Sequence, residues 1–415
     1  MSSTYSRTLV LLAAAAALAI GSYFVRGSAA DNAPARGCKP ADTSWANAPE
    51  QKPAFPGQTR ACEEKLNVAF DVVVLSRELE HPWAVEPLPD GDLLVTERPG
   101  RMRIVTADGK TGAPIQGVPA VVAKGQGGLL DVALSPGFAS DRTIFWSYSE
   151  PREDGNGTSV ARAVLAQDRS RLEDVRVILR TRPSYSNNLH FGSRLVFAAD
   201  GTLFVTLGER SEKRMRPQAQ ELGSHYGKIL RITADGAAPP DNPFVGQAGA
   251  LPEIWSLGHR NIQSAAIDSR GRLWEIEHGT RGGDELNLVE KGKNYGWPLV
   301  AYGEEYVGFA IDGAETDRPG YERPVYYWDP VIAPSGAEFY SGDAFPQWRG
   351  SLFIGGLKTS RLVRLTLQND RVTGEEYLLG ERRQRIRDVR QGGDGLLYVV
   401  TDEPEGQLWK LAPRS

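Results

Sequence analysis

Apolar and polar residues alternate in short bursts along most of the chain, and a turn introduces each burst. The pattern runs as "PDGDLLVTERPGRMRIV" at 89–105 and "ASDRTIFWSYSE" at 139–150. It returns as "AADGTLFVTLGER" at 198–210 and "DSRGRLWEIEHG" at 268–279, then as "QWRGSLFIGGLKTSRLVRL" at 347–365 and "GGDGLLYVVTDEPEGQLWKL" at 392–411. A period of two puts one face of a strand against a neighbouring sheet. Turns rich in aspartate and glycine supply the positive φ that tight hairpins need. Six such units predict an all-β fold, a six-bladed β-propeller in which each sheet covers the next one's apolar face. The units begin about 45 to 80 residues apart, so the propeller carries long inter-strand loops, where function usually resides. A two-sheet sandwich accommodates six similar units poorly.

The N-terminus breaks this pattern. Between Arg7 and Arg26 lie the uncharged residues "TLVLLAAAAALAIGSYFV", followed by small residues ending at Ala30. A basic start, an apolar run and a small-residue exit describe an export signal, and residues 8–25 are also long enough to anchor in a bilayer. Residues 1–30 are therefore expected to be a signal peptide or membrane anchor, and 31–66, rich in proline and alanine, a tether. Residues 67–415 are left for the propeller, and the location is expected to be periplasmic or otherwise extracytoplasmic. Both cysteines, Cys38 and Cys62, fall in the tether, and an even pair in an exported chain suggests a disulfide, two free thiols being the alternative. The net charge of −4 is mixed along the chain and gives no case for nucleic acid.

Several stretches could carry chemistry. His190, in "NNLHFGSRLVF", stands at the mouth of an expected strand; it could be a packing residue, a metal ligand or a base. In "RRQRIRDVR" (382–390), Arg385 and Arg387 share one face of a strand and form a fork suited to carboxylate or phosphate groups. Lys358 follows the preceding unit's strand in the same way. The turn "HGTRGGDE" (278–285) offers carbonyls beside carboxylates, the mixed oxygen set that a hard cation such as calcium takes, although a solvated acidic turn looks the same. Gln126, between glycines, is a turn residue or a polyol contact.

Together the stretches "GQGGLLDVALSP", "HFGSRLVFAADGTLFVTLGE", "LGHRNIQ", "EHGTRGGDELNLVEKGKNYGWP", "APSGAEFY", "LKTSRLVRL" and "RIRDVRQGGDGLLYVVTD" resemble, in order, the soluble pyrroloquinoline quinone (PQQ)-dependent glucose and aldose sugar dehydrogenases of the glucose/sorbosone dehydrogenase family. The resemblance spans about Val68 to Leu411. It implies oxidation of the anomeric hydroxyl of an aldose to a lactone, with PQQ over the central face and an unidentified electron acceptor. His190 matches the family's general base, and Gln126 a sugar contact. Arg260, Asn261, Lys358, Arg385 and Arg387 match groups that hold the cofactor. Gly279 and Thr280 match the pair whose carbonyls hold calcium, and Asp284, Glu285 and Tyr295 lie where further calcium ligands are expected. Tyr326 and Trp328, in "YYWDPVIAPSG", stand for the sugar-contacting aromatics. Two positions depart from the glucose-oxidising members: Leu189 replaces an aspartate beside the base, and Thr280 replaces a proline. These departures favour the broader aldose branch. A propeller lactonase and a non-catalytic binding propeller are the other readings of this architecture; the first needs a metal caged by acidic side chains, the second the loss of base or cations.

Overall fold

The alternating bursts fold as antiparallel sheets, five of four strands and one of three, in a computed structural model that describes residues 38–414. The expected signal or anchor at 1–30, with its run at 8–25, lies outside the described residues, as do 31–37. The innermost strands are Pro82–Pro87, Leu129–Leu134, Leu195–Phe197, Ile262–Ile267, Pro334–Phe339 and Ile386–Gln391. Each touches the innermost strand of the next sheet, and the last touches the first, so the ring closes on six blades. The sixth blade is completed by the first strand of the chain: Phe70–Leu79 pairs antiparallel with Gly406–Pro413, from Phe70 opposite Pro413 to Leu79 opposite Gly406.

The hairpin entering each blade's second strand explains the repeated turn. Gly201 and Gly271 sit at φ +80° and +77° with open space around them, a conformation in which a Cβ is penalised. The second unit lacks that glycine, and Arg142 takes the left-handed position at φ 52°. The core is divided into six apolar layers, each filled from two successive blades. Trp274 of the fourth blade, for example, meets Phe339 of the fifth edge-on at 6.2 Å. Burying a large apolar side chain in such a layer stabilises the fold by roughly 1.5–3 kcal/mol.

Charged residues fill the axis. Arg194, fully buried, pairs with Asp131 at 2.6 Å and Asp388 at 3.2 Å. Arg390 lies 3.7 Å from Asp131 and 3.6 Å from Glu86. Asp131 also accepts from the Leu195 N–H at 2.7 Å, so the network ties four blades together.

The expectation of a tether fails for residues 38–66, which are packed on the propeller. A disulfide joins Cys38 to Cys62. Glu63 bridges to Glu375 in the fifth blade. Gln58 is fully buried, donating to the Pro324 carbonyl at 2.8 Å. Proline-rich composition marks a segment without regular structure, and here the disulfide and polar contacts to the blades supply the order that regular structure would.

Candidate active site

In an antiparallel blade the loop entering the first strand and the loop leaving the second open on the same end. Gln126, His190, Arg260, Asn261 and Arg385 lie in entry loops or at their ends, and Arg98, Glu209, His278–Thr280, Lys358 and Asp402 lie beyond second strands. One end of the propeller thus collects them from all six blades. A cavity of about 170 Å³ opens there, lined by Trp83, Arg98, Gln126, Gln263, Arg387 and Asp402 among others.

His190 is held from two sides. Its backbone N–H donates to Gln126 Oε1 at 2.8 Å, and its Nδ1 lies 2.9 Å from Glu209 Oε2. The backbone at His190 is left-handed, φ 47°, as it is at Ser193, Arg210 and Ser211. Such conformations cluster where surrounding contacts over-determine them. Burial holds the His190 imidazole below its ordinary pKa, with Glu209 opposing and Arg260 reinforcing the shift. Burial alone would raise the Glu209 carboxyl, but His190 and Arg260 outweigh it and hold the group below its ordinary value. At neutral pH the pair is therefore a neutral imidazole against a carboxylate. An ionised carboxylate only accepts, so Nδ1 carries the proton and Nε2 keeps its lone pair.

Across the cavity, Arg385 and Arg387 grip the two oxygens of Asp402 at 2.7 and 2.9 Å, and Arg387 donates to Gln263 Oε1 at 2.9 Å. Burial works against the Asp402 charge, yet Arg387 and Arg385 hold its carboxyl far below the usual range. With Arg98, three guanidinium groups face one carboxylate among the lining residues, leaving the cavity cationic. Arg385 also donates to the carbonyl of Leu357, the neighbour of Lys358, at 3.2 Å. On the fourth blade, the loop after Leu288 lays Trp297 5.2 Å from the Arg260 guanidinium. Asn261 Oδ1 accepts from the Gly192 N–H at 3.1 Å. Arg260 Nε, Asn261 Nδ2 and His278 Nε2 are buried without a hydrogen-bond partner. Buried polar atoms are costly unless paired, so this end of the ring is built for a polar, anionic occupant, which a planar tricarboxylate such as PQQ fits.

Beneath the 278–283 turn lies a small cavity of about 10 Å³, bounded by Glu277, Gly279, Thr280, Glu285 and Tyr295 among others, room for one occupant the size of water. Glu275, Glu277 and His259 converge beside it with ligand atoms within 4.8 Å of one another. Burial, then the repulsion of Glu277, pushes the Glu275 carboxyl up to about 7, and burial with both neighbours drives Glu285 well above its ordinary value. Burial opposes the charge on His259, but Glu275 and Glu277 outweigh it and hold the imidazole at about 9. Carboxylates outnumber cations here, and Glu275 Oε2, Asn287 Oδ1 and Thr280 Oγ1 lack partners. This donor set fits a hard cation.

The structure redistributes several expected roles. The Gly279 carbonyl accepts from Arg260 Nη1. Asp284 accepts from two backbone N–H groups, of Gly279 at 2.8 Å and Ala333 at 2.7 Å, so it braces the turn. The Tyr295 hydroxyl donates to the Leu288 carbonyl at 2.7 Å and accepts from the Glu290 N–H at 2.9 Å, so the hydroxyl is taken up within its own loop. Tyr326 and Trp328 are not substrate contacts. They form the outermost strand of the fourth blade, buried, with Trp328 Nε1 donating to Glu375 Oε1 at 2.7 Å and Tyr326 Oη to Glu375 Oε2 at 3.1 Å. Glu209, Arg98, Gln263, His278 and Asp402 join the site without having been singled out. Glu209 was the most legible of them, a carboxylate closing the hairpin strand that His190 opens.

A six-bladed propeller with a buried carboxylate–imidazole pair hydrogen-bonded to the lining of a cationic cavity defines a class of protein. The Glucose / Sorbosone dehydrogenase family model matches residues 79–410, and the chain belongs to that family. It is 48% identical to aldose sugar dehydrogenase YliI of Escherichia coli over 83% of this chain and 93% of that one. It is 28% identical to quinoprotein glucose dehydrogenase B of Acinetobacter calcoaceticus, over 80% of this chain and 85% of that one. Among solved structures, the apo soluble aldose sugar dehydrogenase of Escherichia coli superposes with a TM-score of 0.81 at 48% identity, covering 83% of this chain and all of that one. The PQQ-bound aldose sugar dehydrogenase of Streptomyces coelicolor gives a TM-score of 0.68 at 30% identity, covering 83% and 98%.

Proposed function

We propose that the chain is a PQQ-dependent aldose sugar dehydrogenase that oxidises the anomeric hydroxyl of an aldose to the lactone. The observation that carries this reading is the His190–Glu209 pair, held through the His190 N–H by Gln126, itself a lining residue of the arginine-rich cavity. Glu209 fixes the imidazole so that Nε2 receives the proton of the anomeric hydroxyl, and the carboxylate stabilises the imidazolium that forms. Gln126 Oε1 is occupied by the His190 N–H, which leaves the amide NH₂ to meet a sugar hydroxyl. Arg98, Arg385, Arg387 and Lys358 would hold the carboxylates of the cofactor, and Arg260 and Asn261 would give their unpaired N–H groups to its oxygens. PQQ, when bound, supplies the two-electron acceptor. Calcium fits the cavity between Glu277 and Glu285 by its preference for several oxygen ligands. A separate electron acceptor is required for turnover. The apolar run at 8–25 supports an extracytoplasmic location, soluble or anchored, as does a disulfide of the kind that persists in oxidising compartments.

The test is reconstitution. Apoprotein given PQQ and calcium chloride is expected to reduce an electron-accepting dye with one or more of a panel of aldoses, and His190→Ala to bind the quinone without turnover. Measured quinone binding with no turnover on any aldose would refute the reading.

A further inference from the structure

The segment 38–66 precedes the residues matched by the family model, which begin at 79, yet it reaches Lys358, the neighbour of the cavity-lining Leu357. Asn47 Oδ1 accepts from Lys358 Nζ at 3.5 Å and from the Val331 N–H at 3.3 Å. The Asn47 and Ala48 N–H groups both donate to the Asp329 carboxylate, the second at 3.0 Å. Ala48 is packed so closely on the 278–283 turn that a Cβ at Gly282 would lie 3.2 Å from its own.

These contacts enter one hydrogen-bonded layer. The backbone N–H of Lys358 donates to the Ile332 carbonyl at 3.0 Å, and that of Leu357 to the Ala333 carbonyl at 2.9 Å. The Ala333 N–H donates to Asp284, whose other oxygen holds the Gly279 N–H. The loop 329–333 thus lies between the strap on one side and Lys358 with the 278–283 turn on the other. Asn47 touches both the lysine side chain and the loop that fixes its backbone. The strap is anchored away from the rim by the Cys38–Cys62 disulfide and by Gln58.

We propose that the disulfide-bound strap is a working part of the cofactor rim, and that Asn47 is the positioning residue for Lys358. The inference rests on Lys358 contacting the quinone as argued above. Lys358 is exposed, and an exposed lysine samples many rotamers, whose loss opposes any ligand contact it makes. An acceptor fixed beside its ammonium removes part of that loss before the ligand arrives. An asparagine does so without neutralising the charge, which an aspartate or glutamate at the same place would do.

The experiment is a fluorescence titration of apoprotein with PQQ in calcium chloride, with a thermal melt of each variant. Asn47→Ala is expected to weaken quinone binding about tenfold with little change in melting temperature, and Asn47→Asp, which keeps an acceptor but neutralises the ammonium, to recover none of it. In a Lys358→Ala background, Asn47→Ala is expected to add nothing, because the two act as one unit. Cys38→Ser with Cys62→Ser is expected to weaken binding in the same direction. A wild-type chain that fails to bind the quinone removes the functional reading, and this inference with it. A wild type that binds, with Asn47→Ala within twofold of it or fully additive with Lys358→Ala, removes this inference alone.

Discussion

Glu209 and His190 lie 19 residues apart in the chain and 2.9 Å apart in space, carboxylate against Nδ1, both buried. The contact decides which ring nitrogen is the base. In Glu209→Gln the amide can donate to Nδ1, which moves the ring proton to Nε2 and leaves no lone pair toward the cavity. We expect kcat to fall by roughly 10²- to 10⁴-fold with the quinone dissociation constant little changed. Steady-state kinetics beside a binding titration checks this, and a kcat within threefold of wild type would sink the tautomer argument.

The same pair sets a pH dependence. Burial holds His190 below its ordinary pKa, about 6.5 for a free side chain. The neutral, base-competent imidazole therefore persists into mildly acid solution, and the acid limb of kcat/KM is expected below that value. Glu209 opposes the shift, so Glu209→Gln should move the limb further toward acid. In linkage terms, the depressed pKa contributes stability present above the unfolded value and lost as pH falls through the folded one. A limb above 6.5 in the wild type contradicts the burial.

Trp328 donates to buried Glu375 at 2.7 Å. Trp328→Phe keeps an aromatic ring and strands the carboxylate oxygen, at a cost of about 1–3 kcal/mol in denaturant unfolding. KM for the aldose should not move. A raised KM at unchanged stability would restore the residue to the substrate site.

Asp131→Asn tests the axis. It changes little volume but leaves Arg194, fully buried, and Arg390, largely buried, facing one fewer charge. Breaking a buried pair costs about 3–5 kcal/mol, so unfolding should shift by a large part of that. A shift under about 1 kcal/mol would show that the guanidiniums find other partners.

Much of this was legible beforehand because it is repetitive. A turn followed by alternation occurs six times, and each occurrence falls in its own blade, its turn opening the second strand. His190, Arg260, Arg385 and Arg387 were legible because loops at one end of every blade converge on the axis. Tyr326 and Trp328 were misassigned because aromatic pattern does not distinguish an outer strand packed on Glu375 from a rim residue. The strap escaped notice because its order comes from a covalent link and from single side chains such as Gln58, neither of which has a period. Asp284 shows a further limit: its identity suits a metal, and only geometry reveals that it braces a turn through two backbone N–H groups.

The pairing of Phe70–Leu79 with Gly406–Pro413 has a consequence for how the molecule is made. The earliest of the described strands has no partner until residues 406–413 leave the ribosome. It must wait with an open edge while five blades assemble behind it. A chain cut short before residue 406 loses one strand and strands another, and so exposes two raw edges at the seam of an unfinished circle.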